Sequence, residues 1–147
     1  MITALITGCS TGFDLETARY FLDQGWAVIA TMRTPRDDIL PPSDRLRTLQ
    51  LDVTDADSIA HALDAAGRFD VLVNNAGIGQ VGPLEGVPMD KIREVFETNM
   101  LGTIAMTRVV LPQFRERRSG VIVKDDLSRL QRLRQVLRSA WREAGWR

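Results

Sequence analysis

Thr7-Gly8-Cys9-Ser10-Thr11-Gly12-Phe13-Asp14 is the stretch on which the fold turns. Before it lies a short apolar, β-branched run from Ile2 to Thr7, which reads as a strand. After it, Gly12 to Asp23 has helical spacing, with Leu15, Ala18 and Leu22 on one face and Phe21 beside them. Gly25 closes that helix. A strand that enters a helix through a glycine turn admits two readings. Backbone N–H groups at the helix start can approach a phosphate, or the glycines serve a tight turn that holds nothing. The quoted residues alone leave both open.

The rest of the chain repeats the alternation. Trp26–Thr31, Leu46–Leu51, Phe69–Val73 and Gly120–Val123 read as further strands. A helix capped by Thr54 or Asp55 is expected through about Ala66, with Ile59, Ala62 and Leu63 turned inward. Met89 to Arg117 is expected to be helical in two pieces that meet near Asn99 to Gly102. Residues 34–45 and 77–88, with their prolines and glycines, read as loops. The strands are continuous apolar runs, as parallel strands buried on both faces should be. Alternation of this kind predicts an α/β fold with right-handed crossovers.

Composition narrows the function. The 147 residues fit one domain and can bury a core without staples. One Cys excludes an internal disulfide, and one His with one Cys leaves no His- or Cys-based metal cage. The 19 basic and 19 acidic side chains cancel, so no net field steers the chain toward nucleic acid or membrane. No apolar run approaches the ~20 residues of a membrane span. The first ten residues lack a basic segment and run into glycine, so they do not read as a signal peptide. A cytoplasmic protein is the expectation.

Four motifs settle the meaning of the glycine turn. They are Thr7-Gly8 with Gly12, Asp52-Val53 after the third strand, Asn74-Asn75-Ala76-Gly77 after the fourth, and Asn99 within Glu97-Thr98-Asn99-Met100. In this order and spacing the chain resembles the short-chain dehydrogenase/reductase family, from Thr3 to about Val123. The resemblance implies a doubly wound, Rossmann-like, mainly parallel sheet of about five strands in the order 3-2-1-4-5. It also implies a nicotinamide dinucleotide across the strand ends. By position, Gly8, Ser10, Thr11, Gly12 and Phe13 would line the phosphate and ribose turn. Asp52 and Val53 would border the adenine, and Asn75, Ala76 and Gly77 would back the ribose. Asn99 matches the asparagine that kinks a long helix and helps organise the proton relay.

The end of the second strand bears on which cofactor is favoured. Ala30-Thr31-Met32-Arg33 holds no acid for a ribose 2′-hydroxyl, whereas Arg33 suits a 2′-phosphate, so NADP is expected ahead of NAD. Asp14 departs from the pattern, standing where the family has a third glycine. Its charge should oppose a pyrophosphate and weaken cofactor affinity.

The acid/base machinery is not visible. The family uses a Tyr, a Lys four residues on, and a Ser on the preceding strand. The only tyrosine here is Tyr20 in the first helix, with Gln24 four residues later, and the only lysines are Lys91 and Lys124. After Val123 the chain turns to Lys124-Asp125-Asp126. Asn99 is the one retained member of the catalytic set. The expectation is a truncated relative, an NADP-binding oxidoreductase-like chain that is catalytically impaired on its own. The alternative is a non-catalytic α/β interaction or dimerisation module.

Residues 1–123 therefore read as the dinucleotide-binding domain, and 124–147 as a basic amphipathic helix packed on it. Leu127, Leu130, Leu133, Leu137, Ala140, Trp141 and Ala144 form that helix's apolar stripe. It is expected to cover the sheet, or to pair with a second copy of the chain, as is the helix around 89–117. A nucleic-acid or acidic-membrane role for its arginines is the weaker reading, because arginine replaces lysine throughout this sequence. An aberrant end with no selected role stays open as well.

Overall fold

The computed structural model describes residues 1–36, 38–80 and 82–124. The expected helix Leu127–Ala144, and its place on the sheet or at a dimer contact, lie outside them. Five parallel strands, β1 (Thr3–Thr7), β2 (Ala27–Met32), β3 (Leu46–Gln50), β4 (Val71–Asn74) and β5 (Val121–Lys124), form one sheet. Their order is β3-β2-β1-β4-β5, so the chain reverses direction across the sheet between β1 and β4. The helices are α1 (Phe13–Asp23), α2 (Ala56–Ala66), α3 (Met89–Phe96) and α4 (Thr103–Arg117), with a π-helical turn at Glu97–Gly102 joining the last two.

Strand alternation builds two cores. Ala4, Ile6, Val28, Ala30, Val71 and Val73 face α1, where Ala18, Phe21 and Leu22 meet them. Leu5, Ile29 and Leu72 face the other way, against Ile59 and Ala62 of α2 and Met106, Val110 and Phe114 of α4. Every buried strand residue thus has a partner layer, which explains the unbroken apolar runs.

Local signals fix the ends of the elements. At the end of α1, Gly25 (φ +82°) donates its N–H to Leu22 O and Trp26 donates to Phe21 O, a Schellman closure. The Trp26 ring stacks on Phe21 at 4.6 Å, the apolar contact that accompanies such a closure. Asp55, rather than Thr54, caps α2 by accepting from the N–H groups of Asp57 and Ser58.

Strand bounds differ from the sequence reading by a residue or two. β4 begins at Val71, because Phe69 serves as a core plug against Phe114 (ring centroids 5.7 Å) and the Asp70 carboxylate accepts from Thr3 N. β5 reaches Lys124, which is in register with Asn74. The break in the long helix falls where it is expected. Gly102 permits it, since a Cβ there would lie 2.7 Å from Val53 Cγ2 and 3.1 Å from Val53 O. The π-turn therefore rests directly on Val53, three residues beyond the end of β3. Among the described residues, no helix is long and apolar enough to cross a membrane.

Candidate functional site

A cleft of about 580 Å³ opens at the C-terminal ends of the strands, beside the point where strand order reverses. Open α/β sheets place their ligands at such a point. Each wall comes from one connection. Gly8, Ser10, Thr11 and Gly12 come from the turn after β1, and Asp14 from the first turn of α1. Met32 and Arg33 follow from β2, and Leu51, Asp52, Val53 and Thr54 from the segment after β3. Asn75, Ala76, Gly77 and Ile78 follow β4, and Glu94, Glu97 and Thr98 close the far side from α3 and the π-turn.

The glycine turn is built by its neighbours. Gly8 has φ +85°, and a Cβ on it would sit 2.8 Å from Ala76 Cα, so the turn and the loop after β4 touch through backbone. Gly8 N and Cys9 N both donate to Thr31 O at 2.9 Å, tying the turn to β2. Gly12 (φ +71°) precedes α1 without any side-chain cap, and nothing lies within 4 Å of a Cβ built there. The first amides of the helix are thus left without a side-chain cap from Gly12, as a helix start that receives an anion would be.

Thr7 joins this turn to the next. Its buried Oγ1 accepts from Asn75 N at 3.0 Å and Ala76 N at 2.9 Å and donates to Val73 O at 3.4 Å. The hydroxyl gives partners to two amides that leave a strand with no ladder neighbour to receive them. Asn99 fastens the same loop from the other side. Its Oδ1 accepts from Ile78 N at 2.8 Å and its Nδ2 donates to Ile78 O at 2.9 Å. The freed Asn99 carbonyl of the π-turn accepts from Thr103 Oγ1 at 3.0 Å and Lys124 Nζ at 3.4 Å.

Charges in the cleft are unequal, with Asp14, Asp52, Glu94 and Glu97 against Arg33. The Thr54 backbone N–H holds the Asp52 carboxyl below the usual carboxylate range, against the opposing effect of partial burial; the Thr54 hydroxyl and the Arg33 charge add to the lowering. Asp14 leans over the turn, its Oδ2 lying 3.1 Å from the point a Gly8 Cβ would occupy. Beneath it, burial pushes the Cys9 thiol up to about 12, with the Asp14 charge adding to the effect.

Asn75 shows what the cleft lacks. It is 8% exposed, and neither its Oδ1 nor its Nδ2 has a hydrogen-bond partner among the described residues. A buried amide left in this way costs stability unless something arrives to meet it. The donors and acceptors of a nucleotide fit that need.

Ten of the residues singled out from the sequence line this cleft: Gly8, Ser10, Thr11, Gly12, Arg33, Asp52, Val53, Asn75, Ala76 and Gly77. Phe13 is the first residue of α1. Asn99 stands behind the wall and holds it through Ile78. Sequence reasoning did not single out Thr7 as a clamp, or Glu94, Glu97 and Thr98 as the far wall. Thr7 adjoins Gly8 and the other three precede Asn99 closely, so adjacency to the motifs was the available signal. Among the described residues, no group of three or more His, Cys, Asp or Glu side chains is placed to hold a metal ion.

Comparison with known proteins supports these observations. The family model for short chain dehydrogenase matches residues 2–124. Retinol dehydrogenase 8 of Bos taurus is 41% identical over 135 residues, covering 82% of this chain and 43% of that protein. Human 17-beta-hydroxysteroid dehydrogenase type 1 is 40% identical over 133 residues, covering 81% and 40%. The chain therefore spans less than half the length of these curated relatives. Among solved structures, the closed form of a serine dehydrogenase complexed with NADP+ superposes with a TM-score of 0.76 at 33% identity, covering 84% of this chain and 53% of that one. A 3-ketoacyl-(acyl-carrier-protein) reductase from Brucella melitensis complexed with NADH gives 0.76 at 29% identity, covering 84% and 56%.

Proposed function

Because this chain belongs to the short-chain dehydrogenase family, we propose that residues 1–124 form the dinucleotide-binding part of an oxidoreductase acting on an alcohol or carbonyl substrate, and that they take NADP(H) ahead of NAD(H). The observation that carries this reading is Asn75, an unpartnered, buried amide in a cleft of the right place and size. The backbone turn at Gly8–Gly12 would receive the pyrophosphate. Asp52 and Val53 would border the adenine, and Asn75, Ala76 and Gly77 the ribose. When bound, the nicotinamide supplies or accepts the hydride. Asn99 acts on this chemistry as a positioning residue, by fixing Ile78 and with it the cleft wall.

Proton transfer is a separate matter. Tyr20 packs against the core on the α1 side of the sheet and does not line the cleft. Residues 1–147 by themselves are therefore expected to bind cofactor without turning over a carbonyl substrate.

Arg33 carries the cofactor preference in this reading. It follows β2 at the cleft edge and can pair with a 2′-phosphate through charge-assisted bonds. Titration with NADPH, followed by its fluorescence, is expected to saturate below millimolar concentration. Arg33→Ala should weaken NADPH roughly 5- to 50-fold, as loss of one charge-assisted contact does, and leave NADH almost unchanged. Equal losses for both cofactors would remove Arg33 from the 2′-phosphate site. No saturable binding of either would sink the reading.

A second reading, the interaction module, has one observation in its favour. Phe96, Met100, Leu101 and Ile104 are about half exposed and recur at helical spacing across α3, the π-turn and α4. We propose this stripe as a contact between two copies of the chain. The solution mass should fall from dimer to monomer on Met100→Glu with Ile104→Glu. A mass unaffected by the pair of substitutions argues against this contact.

A further inference from the structure

We propose that Asp14 makes dinucleotide binding by this cleft proton-coupled: Asp14 takes up a proton more readily once the phosphates are bound, so affinity rises as pH falls into the acid range. The proposal rests on the cofactor reading above and adds a condition to it. Its starting point is placement. Asp14 lies in the first turn of α1, lines the cleft, and holds its Oδ2 3.1 Å from where a Gly8 Cβ would be. A pyrophosphate received by the Gly8–Gly12 turn would come into the immediate neighbourhood of that carboxylate.

Like charges at that separation raise the carboxylate's affinity for a proton in the bound state only. The remaining charges in the cleft do not cancel this. Asp52 and Arg33 stand at the ends of β3 and β2, and Glu94 and Glu97 face them from α3 and the π-turn, giving an acidic surround. On the side of the β1 turn the nearest titratable group is the Cys9 thiol, buried and neutral. On α1 itself the next acid, Glu16, is exposed and paired with Arg19 at 3.0 Å. The loop after β4 contributes only Asn75, Ala76, Gly77 and Ile78, none of which titrates.

The sign follows from linkage. A proton taken up on binding strengthens binding as pH falls, by as much as ~10-fold per pH unit between the free and bound pKa values of Asp14. Asp52, held below the usual carboxylate range by Thr54, stays ionised across this window and adds no uptake of its own.

The test is a set of binding titrations of the full chain with NADP+ and NAD+ between about pH 8 and pH 4.5, with Asp14→Asn and Asp14→Gly in parallel. NAD+ lacks the 2′-phosphate, whose own titration near pH 6 would otherwise contribute. The affinity advantage of Asp14→Asn over the natural chain should shrink by about 3- to 20-fold from pH 8 to pH 4.5 with both cofactors. An advantage constant with pH overturns the proposal and leaves the cofactor reading standing. Binding by the variants with none by the natural chain at any pH also overturns it. The same holds if millimolar Mg²⁺, rather than acid, restores the natural chain's affinity at pH 8. If neither variant binds either cofactor at any pH, the cofactor reading fails, and the proposal with it.

Discussion

Asp14→Gly is expected to tighten NADPH binding at pH 7.5 by about 10- to 100-fold. The magnitude comes from charge alone. Two unit charges ~5 Å apart at a partly exposed site, with an effective dielectric near 20, repel by about 3 kcal/mol. Salt and side-chain rotation into solvent reduce this to about 1.5–3 kcal/mol, the range just given. The same substitution should lower stability. It removes an acid from the first turn of α1, where it favours the helix dipole, and places glycine inside a helix. These two losses together cost about 0.5–1.3 kcal/mol. Affinity rising while the melting temperature falls is the combined signature, readable by fluorescence titration beside calorimetry. Unchanged affinity would mean that the carboxylate swings clear of the phosphates.

Thr7→Val is expected to destabilise the chain by about 2–4 kcal/mol, although the two side chains have nearly the same shape. Valine fills the volume but leaves the buried amide of Asn75 and the half-buried amide of Ala76 without their acceptor. Two orphaned donors each cost about 1–3 kcal/mol, and modest relaxation of the loop recovers part of it. Chemical denaturation should show a lower midpoint with an unchanged slope. Thr7→Ser, which keeps the oxygen, should recover most of the loss. A valine variant as stable as the natural chain would show that water replaces the hydroxyl. The loop after β4 forms one cleft wall, so Thr7→Val should also weaken cofactor binding by more than Thr7→Ser does.

The alternation of elements was legible because it rests on patterns that survive in one dimension, and the sheet order followed from the family resemblance that the motifs carry. The parallel strands show as apolar runs, Gly25 marks the end of α1, and Asp55 marks the start of α2. The break at Glu97–Gly102 was legible for the same reason, through Asn99 and Gly102 in an otherwise helical stretch. Strand ends were less so. Phe69 looks like strand by composition, but its ring is spent against Phe114, and only the packing of α4 reveals this. In the site, ten of the residues on motif positions line one cleft, and Asn99 stands behind its wall. The Thr7 clamp was hidden because its partners, Asn75 and Ala76, lie almost seventy residues away and are reached through backbone atoms. A residue type cannot announce a contact made by someone else's amide. The far wall of Glu94, Glu97 and Thr98 depends on how α3 tilts over the cleft, which no local pattern encodes.

The buried Cys9 gives the turn a built-in chemical reporter. It is the chain's single cysteine, fully enclosed, with its Sγ donating to Ile6 O at 3.5 Å and its thiol held protonated near neutral pH. An alkylating reagent needs both access and thiolate, and the closed turn denies it both. Labelling can then proceed only during excursions in which the segment between β1 and α1 lifts from the sheet. The rate of thiol modification therefore counts those openings, and a ligand that clamps the turn should appear as a slower clock.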